Sequence, residues 1–165
     1  MVHPHIATGL IAKLASAVGL VAVFYVQPFR PVGIVGRSME PTYRNHSFLW
    51  TLPMQPQDLV RGEVVTIDMG YGTIIKRIAY VPGDTIHQIH SGNTWISLVW
   101  VHPLRPRGYL SPVYRSVTVP PGEVYVLGDN AELSFDSRDF GFVPVTQIKR
   151  RLVDQRPQSE LVARY

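Results

Sequence analysis

The chain of 165 residues contains no cysteine. Disulfide cross-links, thiolate nucleophiles and cysteine-ligated zinc are therefore excluded. The redox compartment stays open, because a chain without cysteine suits either kind. Charge is also scarce: 17% of residues are charged against 45% hydrophobic, a balance less charged than an ordinary soluble domain. The net charge of +4 is not gathered into one block. No basic stripe is interleaved with aromatics, so nucleic acid is not expected as a partner. There is no Gly-x-Ser-x-Gly elbow, so an α/β-hydrolase is not indicated, and the glycines form no phosphate-binding pattern. The histidines do not gather either. His87 and His90 stand three apart, on opposite faces of an alternating strand, and with His46 they read as surface residues. No metal and no cofactor is expected.

Long apolar runs are missing except for one. Ile6 to Val26 reads IATGLIAKLASAVGLVAVFYV. At about 1.5 Å per residue it reaches about 30 Å, the thickness of a bilayer core. Lys13 interrupts it and can snorkel to the near interface. Phe24 and Tyr25 near its far end suit an interfacial belt, and Pro28 and Pro31 then stop a helix. A cleaved signal peptide would need a charged start and an Ala-x-Ala cut site after its apolar core; the start offers only His3, His5 and Lys13, and no Ala-x-Ala follows the core. A buried soluble helix is the other rival. We expect a retained membrane anchor over residues 1–27 and a β domain over 28–165. Lys13, in the first third of the span, is matched by Arg30 and Arg37 after it, so charge does not orient the anchor. Towards the end, Lys149, Arg150, Arg151, Arg156 and Arg164 outnumber Asp154 and Glu160. That surplus suits an ordinary solvated surface or attraction to anionic lipid headgroups.

Proline (14) and glycine (13) punctuate short apolar stretches, a pattern of strands and turns rather than long helices. Strands are expected at Val32–Val35, Ser47–Leu52, Glu63–Asp68, Gly72–Val81, Thr85–His90, Asn93–Val101, Tyr114–Val119, Glu123–Leu127 and Thr146–Val153, with an exposed loop over 103–113. The 85–119 stretch shifts towards proline, arginine and aromatics and reads as a small inserted lobe. The fold class is mainly β.

Three stretches can carry chemistry. Ser38 lies in Gly36-Arg37-Ser38-Met39-Glu40-Pro41-Thr42, where a lone serine is ordinarily a turn residue. Lys76 lies in an apolar strand. Alternation places it with Ile74, Ile78 and Tyr80 on one face and sets Ile75, Arg77 and Ala79 on the other. Such a lysine either snorkels at a sheet edge or is desolvated, and burial then favours its neutral amine. A neutral lysine can deprotonate a serine hydroxyl, as histidine does in other proteases. The third stretch, residues 128–141, is polar. Gly-Asp-Asn reads as a tight turn and Asp136/Arg138 as a local ion pair, or the loop holds a lysine amine by its hydroxyls.

Four blocks, GRSMEPT (36–42), RGEVV (61–65), IIKRIAYVPGD (74–84) and GDNAELSFDSRDFGFVP (128–144), occur in one order behind the apolar run. In this the chain resembles the type I signal peptidases, membrane-anchored serine proteases that remove signal peptides from exported proteins. The resemblance covers nearly the whole chain. It implies an antiparallel β-sheet catalytic domain with one N-terminal transmembrane helix, in which Ser38 is the nucleophile and Lys76 its general base. Ser134 corresponds to a serine that contacts the lysine amine, Asp136 and Arg138 to a supporting ion pair, and Gly128, Asp129 and Asn130 to the turn that carries them. Val32, Ile34, Met39 and Ile75 correspond to the walls of shallow pockets for small residues before the cut. The Ser38 N–H would serve as one oxyanion donor, whereas Gly36 stands where some members carry a hydroxyl.

The implied partners are preprotein signal peptides and the lipid bilayer. The implied location is a cell membrane with the catalytic domain outside the cytoplasm, or alternatively the mitochondrial inner membrane facing the intermembrane space. Two further rivals are a self-cleaving Ser-Lys repressor, for which the first 26 residues are too short and too apolar to bind DNA, and an inactive anchored scaffold, which intact Ser38, Lys76, Ser134 and Asp136 disfavour.

Overall fold

In a computed structural model of the chain, the structure describes residues 28–91, 94–97 and 113–156, together with Lys13, Leu14, Ser16, Val18 and Gly19, which are helical. The rest of the expected anchor lies outside the described residues. So do residues 98–101 of an expected strand and most of the expected 103–113 loop. Among the described residues no helix is long and apolar enough to cross a membrane.

The larger sheet has seven strands. These are β1 (Arg30–Gly33), β2 (Phe48–Pro53), β3 (Val64–Asp68), β4 (Thr73–Tyr80), β8 (Glu123–Leu127), β9 (Val143–Pro144) and β10 (Ile148–Leu152), in the order β1-β2-β10-β3-β4-β8-β9. β5 (Thr85–Ser91), β6 (Thr94–Ser97) and β7 (Tyr114–Thr118) form a separate three-stranded sheet in the order β6-β5-β7. Every pairing is antiparallel.

Burial follows position in the sheet. Val64 to Ile67 of β3 and Val124 to Leu127 of β8 are buried without a break, as strands covered on both faces must be. β2, nearer the edge, alternates, and Phe48 and Trp50 point outwards. Odd and even positions therefore feed different cores. Val65, Ile67, Ile78, Val124 and Val126 pack with Met54, Val143 and Ile148. On the other face Val64 joins Ile34, Met39, Tyr43 and Leu152. Tyr125, Leu127 and Ala79 meet Ile86 and Val119, which seat the smaller sheet.

Some expectations need correction. The first strand runs Arg30–Gly33 rather than Val32–Val35, and Val35 is 88% exposed in the following loop. The last strand starts at Ile148, because Val145–Gln147 forms a 3₁₀ turn. Tyr80 does not continue the row of Ile74 and Ile78. A bulge between Ile78 and Tyr80 shifts the pairing with β8, and the extra residue breaks the alternation. Tyr80 instead packs edge-on against Tyr125, with ring centroids 6.2 Å apart. The polar stretch near the end contains a short helix, α1 (Ser137–Phe140), where sequence periodicity is too brief to announce one.

Candidate active site

Ser38 sits in the loop between β1 and β2. Its base is closed by the Ile34 N–H donating to the Ser47 carbonyl at 2.9 Å and the His46 N–H donating to the Ile34 carbonyl at 2.8 Å. Gly36 has φ +102, a conformation that side-chain-bearing residues adopt only with strain. Its N–H donates to Asn45 Oδ1 at 2.9 Å, so this amide is not free to bind anything else. The Asn45 N–H in turn donates to Glu40 Oε1 at 3.5 Å, and Arg37 Nε donates to Glu40 Oε2 at 2.9 Å. That bond holds the Glu40 carboxyl below the ordinary carboxylate range. Ser38 itself is half-buried. Its carbonyl accepts the Asn130 N–H at 2.9 Å, and its own N–H has no acceptor among the described residues.

Lys76 and Arg77 occupy the middle of β4, with Lys76 opposite Val65 and Arg77 opposite Val64 on β3. Both are buried, at 4% and 3% exposure. The Lys76 amine makes no hydrogen bond or ion pair with any described residue. Desolvation pushes its amine below the ordinary lysine range, partly offset by attraction to Asp136 and reinforced by repulsion from Arg138. Arg77 pairs with Leu127 on the β8 side, and the same register carried one residue on sets Gly128 beside Lys76.

The 128–141 stretch closes over this point. A methyl group at Gly128 would lie 2.2 Å from Ser134 Oγ and 2.6 Å from the Ser38 carbonyl oxygen. Only a residue without a side chain lets these two groups come together. Ser134 Oγ is buried and has no hydrogen-bond partner among the described residues. Asp136 is fully buried. Its carboxylate accepts the Gly128 N–H at 2.9 Å and, on two oxygens, Arg138 Nε and Nη2 at 2.8 Å each. Burial opposes its charge, but the bonds from Arg138 and Gly128 outweigh it and hold the carboxyl below its usual range. The same residue caps α1: Asp136 Oδ1 accepts the Arg138 N–H at 3.2 Å, and Asp139 Oδ2 accepts the Asp136 N–H at 2.9 Å. Asp-Ser-Arg-Asp is thus a reciprocal cap that fixes the loop without a long helix.

Asp129 points away from this cluster. Its carboxylate accepts Arg77 Nε at 2.8 Å and Nη2 at 2.6 Å, both groups being buried. Asn130 Oδ1 accepts the Leu133 N–H at 3.3 Å while its own N–H holds Ser38. Of the four expected pocket residues, Ile34 and Met39 are buried in the core with Tyr43, while Ile75 and Val32 are half-buried. Among the described residues no three acidic or histidine side chains are grouped to hold a metal.

Two residues have structural roles that the sequence does not assign to them. Arg77 is the partner of Asp129, and the clue was available: a Lys-Arg pair in a buried strand puts one cation on each face, and each needs an anion or neutralisation. Gly128 read as an ordinary turn glycine, and nothing local announces its close packing.

The family described as signal peptidase, peptidase S26 matches residues 7–97 and 102–153. Signal peptidase I of Bacillus amyloliquefaciens is 30% identical over 122 residues, 67% of this chain and 66% of that protein. Signal peptidase I of Bacillus caldolyticus is 28% identical over 148 residues, 80% of this chain and 81% of that protein. Mitochondrial inner membrane protease subunit 1 of Schizosaccharomyces pombe is 32% identical over 80 residues, 48% of this chain and 38% of that protein. The chain thus spans just under two thirds of the first of these relatives and well under half of the last.

Proposed function

The chain belongs to the signal peptidase, peptidase S26 family, and on that footing we propose that it is a membrane-bound serine endopeptidase that removes N-terminal signal peptides from preproteins. Ser38 is the nucleophile and Lys76 the general base. One observation carries the assignment of the base: the Lys76 side chain is buried, unpaired among the described residues and driven towards its neutral amine by desolvation, on a strand whose next residue pairs with Leu127, just before the glycine that leaves no room for a side chain against the Ser38 carbonyl.

The chemistry follows from that arrangement. The neutral Lys76 amine takes the Ser38 Oγ proton as the oxygen attacks the scissile carbonyl. The free Ser38 N–H is available to the developing oxyanion, an interaction worth about 3–4 kcal/mol where such donors have been removed. The Gly36 N–H is engaged with Asn45 and does not contribute. Protonated Lys76 then gives its proton to the leaving amine, and water deacylates Ser38 by the reverse proton path. Ser134 Oγ, buried with no hydrogen-bond partner among the described residues, is assigned the role of steadying the amine. Asp136, fixed by Arg138, accepts the Gly128 N–H and so holds the turn. Val32, Ile34, Met39 and Ile75 give apolar walls that favour small side chains, discriminating by about 1–3 kcal/mol per methylene.

Membrane attachment is supported by the apolar run before Pro28 and by the outward Phe48 (81% exposed) and Trp50 (55%) on β2, whose partner β1 begins two residues after Pro28. A tethered site meets membrane-embedded substrates at high effective concentration. The likeness to the fission-yeast mitochondrial subunit favours, as a second reading, the mitochondrial inner membrane.

The test is cleavage of a reporter preprotein by the wild type, Ser38→Ala and Lys76→Ala. Loss of product in both variants is expected, and full activity in either overturns the assignment. In the wild type, activity climbs with pH through a titration below the ordinary lysine range. Activity confined to pH values at or above that range would place Lys76 in water.

A further inference from the structure

Beyond the reacting groups, the chain that leaves β10 returns to the Ser38 loop. Tyr43, buried and five residues after Ser38, donates its hydroxyl proton to the Asp154 carbonyl and accepts the Arg156 N–H at 3.0 Å. The Arg156 carbonyl accepts Arg77 Nη1 at 3.0 Å, and a second carbonyl, Gly62, takes the same group at 2.7 Å. The Arg156 guanidinium lies over the Tyr43 ring, 5.6 Å from its centroid, and reaches the Thr42 carbonyl at 3.3 Å. Between them Gln155 imitates a strand residue: its amide oxygen accepts the Val64 N–H at 2.7 Å, and its amide nitrogen donates to the Val64 carbonyl at 3.1 Å and the Leu152 carbonyl at 2.8 Å.

These contacts close a circuit. Arg77 holds Asp129, the adjacent Asn130 holds the Ser38 carbonyl, and Tyr43 returns through Arg156 to Arg77. The nucleophile loop is thus tied to β4 twice, once from Ser38 through Asn130 and Asp129 and once from Tyr43 through Arg156. We propose that residues 154–156 are a positioning strap, with the Tyr43 hydroxyl as its buckle, that sets where Ser38 stands relative to Lys76. Neither Tyr43 nor Arg156 touches a reacting atom, so both are positioning residues. The inference rests on Ser38 being the nucleophile.

Tyr43→Phe keeps the ring and removes both hydroxyl bonds. The expected result is a fall in kcat of about tenfold with KM changed less than about twofold, since a displaced nucleophile costs the chemical step rather than binding. The pH at which activity rises stays put, because Lys76 lies on the other face of β4. Rates are taken per active site, counted by an acylating serine reagent, which removes the contribution of unfolded protein. Arg156→Ala is expected to lower kcat about threefold, with Arg156→Lys restoring part of it through the retained cation. Independently of catalysis, amide hydrogen exchange at Asn130 should quicken in Tyr43→Phe, because its acceptor on Ser38 is released. Wild-type kcat per site in Tyr43→Phe, or unchanged exchange at Asn130, overturns the strap. An inactive wild type with quickened Asn130 exchange in the variant would sink the proteolytic reading and leave the strap standing.

Discussion

Lys76 and Arg77 are neighbours on one strand, equally buried, and treated in opposite ways. Arg77 has a bidentate carboxylate and two carbonyls, so its charge is fully answered. The Lys76 amine has none of these, and Asp136, the carboxylate that attracts it most strongly, is committed to Arg138. An arginine cannot escape burial by losing its proton, whereas a lysine can. The face of β4 that must stay rigid carries the cation that stays charged, and the face proposed to do chemistry carries the one that can be neutral. Two adjacent residues thus separate scaffold from reactivity.

Substitutions can break that contrast, beginning with the largest effect. Lys76→Ala or Ser38→Ala should lower reporter cleavage about 10⁴-fold or more, as removal of a nucleophile or base does elsewhere, while the melting temperature holds or rises. Arg77→Met should do the reverse in kind. It strands the Asp129 carboxylate and should cost about 3–5 kcal/mol in denaturant unfolding, with Arg77→Met/Asp129→Leu recovering much of it. An Arg77→Met variant as stable as the wild type would show that the pair is not the anchor described. Gly128→Ala drives a methyl group into Ser134 and the Ser38 carbonyl, and should reduce activity about 100-fold through displacement of the site. Crystallography of that variant should find Ser134 or Ser38 moved.

The smallest effect is the most telling about Lys76. Its lowered folded-state pKa means that the unfolded chain binds the proton more readily. Wild-type stability should therefore climb as pH rises from the folded-state value towards the ordinary lysine range. Lys76→Met removes that dependence and should be more stable than the wild type near neutral pH, by about 1 kcal/mol. Asp136 acts with the opposite polarity of residue. Its carboxyl is held below the usual range, so the stability it contributes is present above that range and is lost as pH falls through its folded-state value. Acid unfolding of Asp136→Asn should lose this component.

Much of the fold could be seen in the chain because strands here are short, β-rich and fenced by proline and glycine. Glu123–Leu127 is found where alternation and turn residues put it. What stayed hidden depended on distant partners. The bulge after Ile78 arises from pairing with β8, not from anything in Ile-Ala-Tyr itself. Val143–Pro144 is too short to carry a period, and α1 is held by a cap rather than by an amphipathic face. At the site, Ser38, Lys76 and the 128–141 stretch stand out as motif blocks, but their closeness is created by Gly128 and Asn130 through contacts with no local signature. Asp129 illustrates the limit. As part of a motif it drew attention, yet its partner Arg77 emerges only when the two faces of β4 are separated in space.

The position of β10 has a consequence for the order in which the protein comes into being. β10 lies between β2 and β3, pairing with Pro53, Leu52 and Thr51 on one side and with Ile67, Thr66 and Val65 on the other. In the sheet it alone joins the hairpin that carries Ser38 to the strands that carry Lys76. Yet it is the last described strand to leave the ribosome. Until Ile148–Leu152 has been made and inserted, the two halves of the proposed site have no common sheet, and long-range pairings of this kind form late. A nascent chain would therefore hold the Ser38 hairpin and the Lys76 strands apart until Ile148–Leu152 had emerged and paired with both.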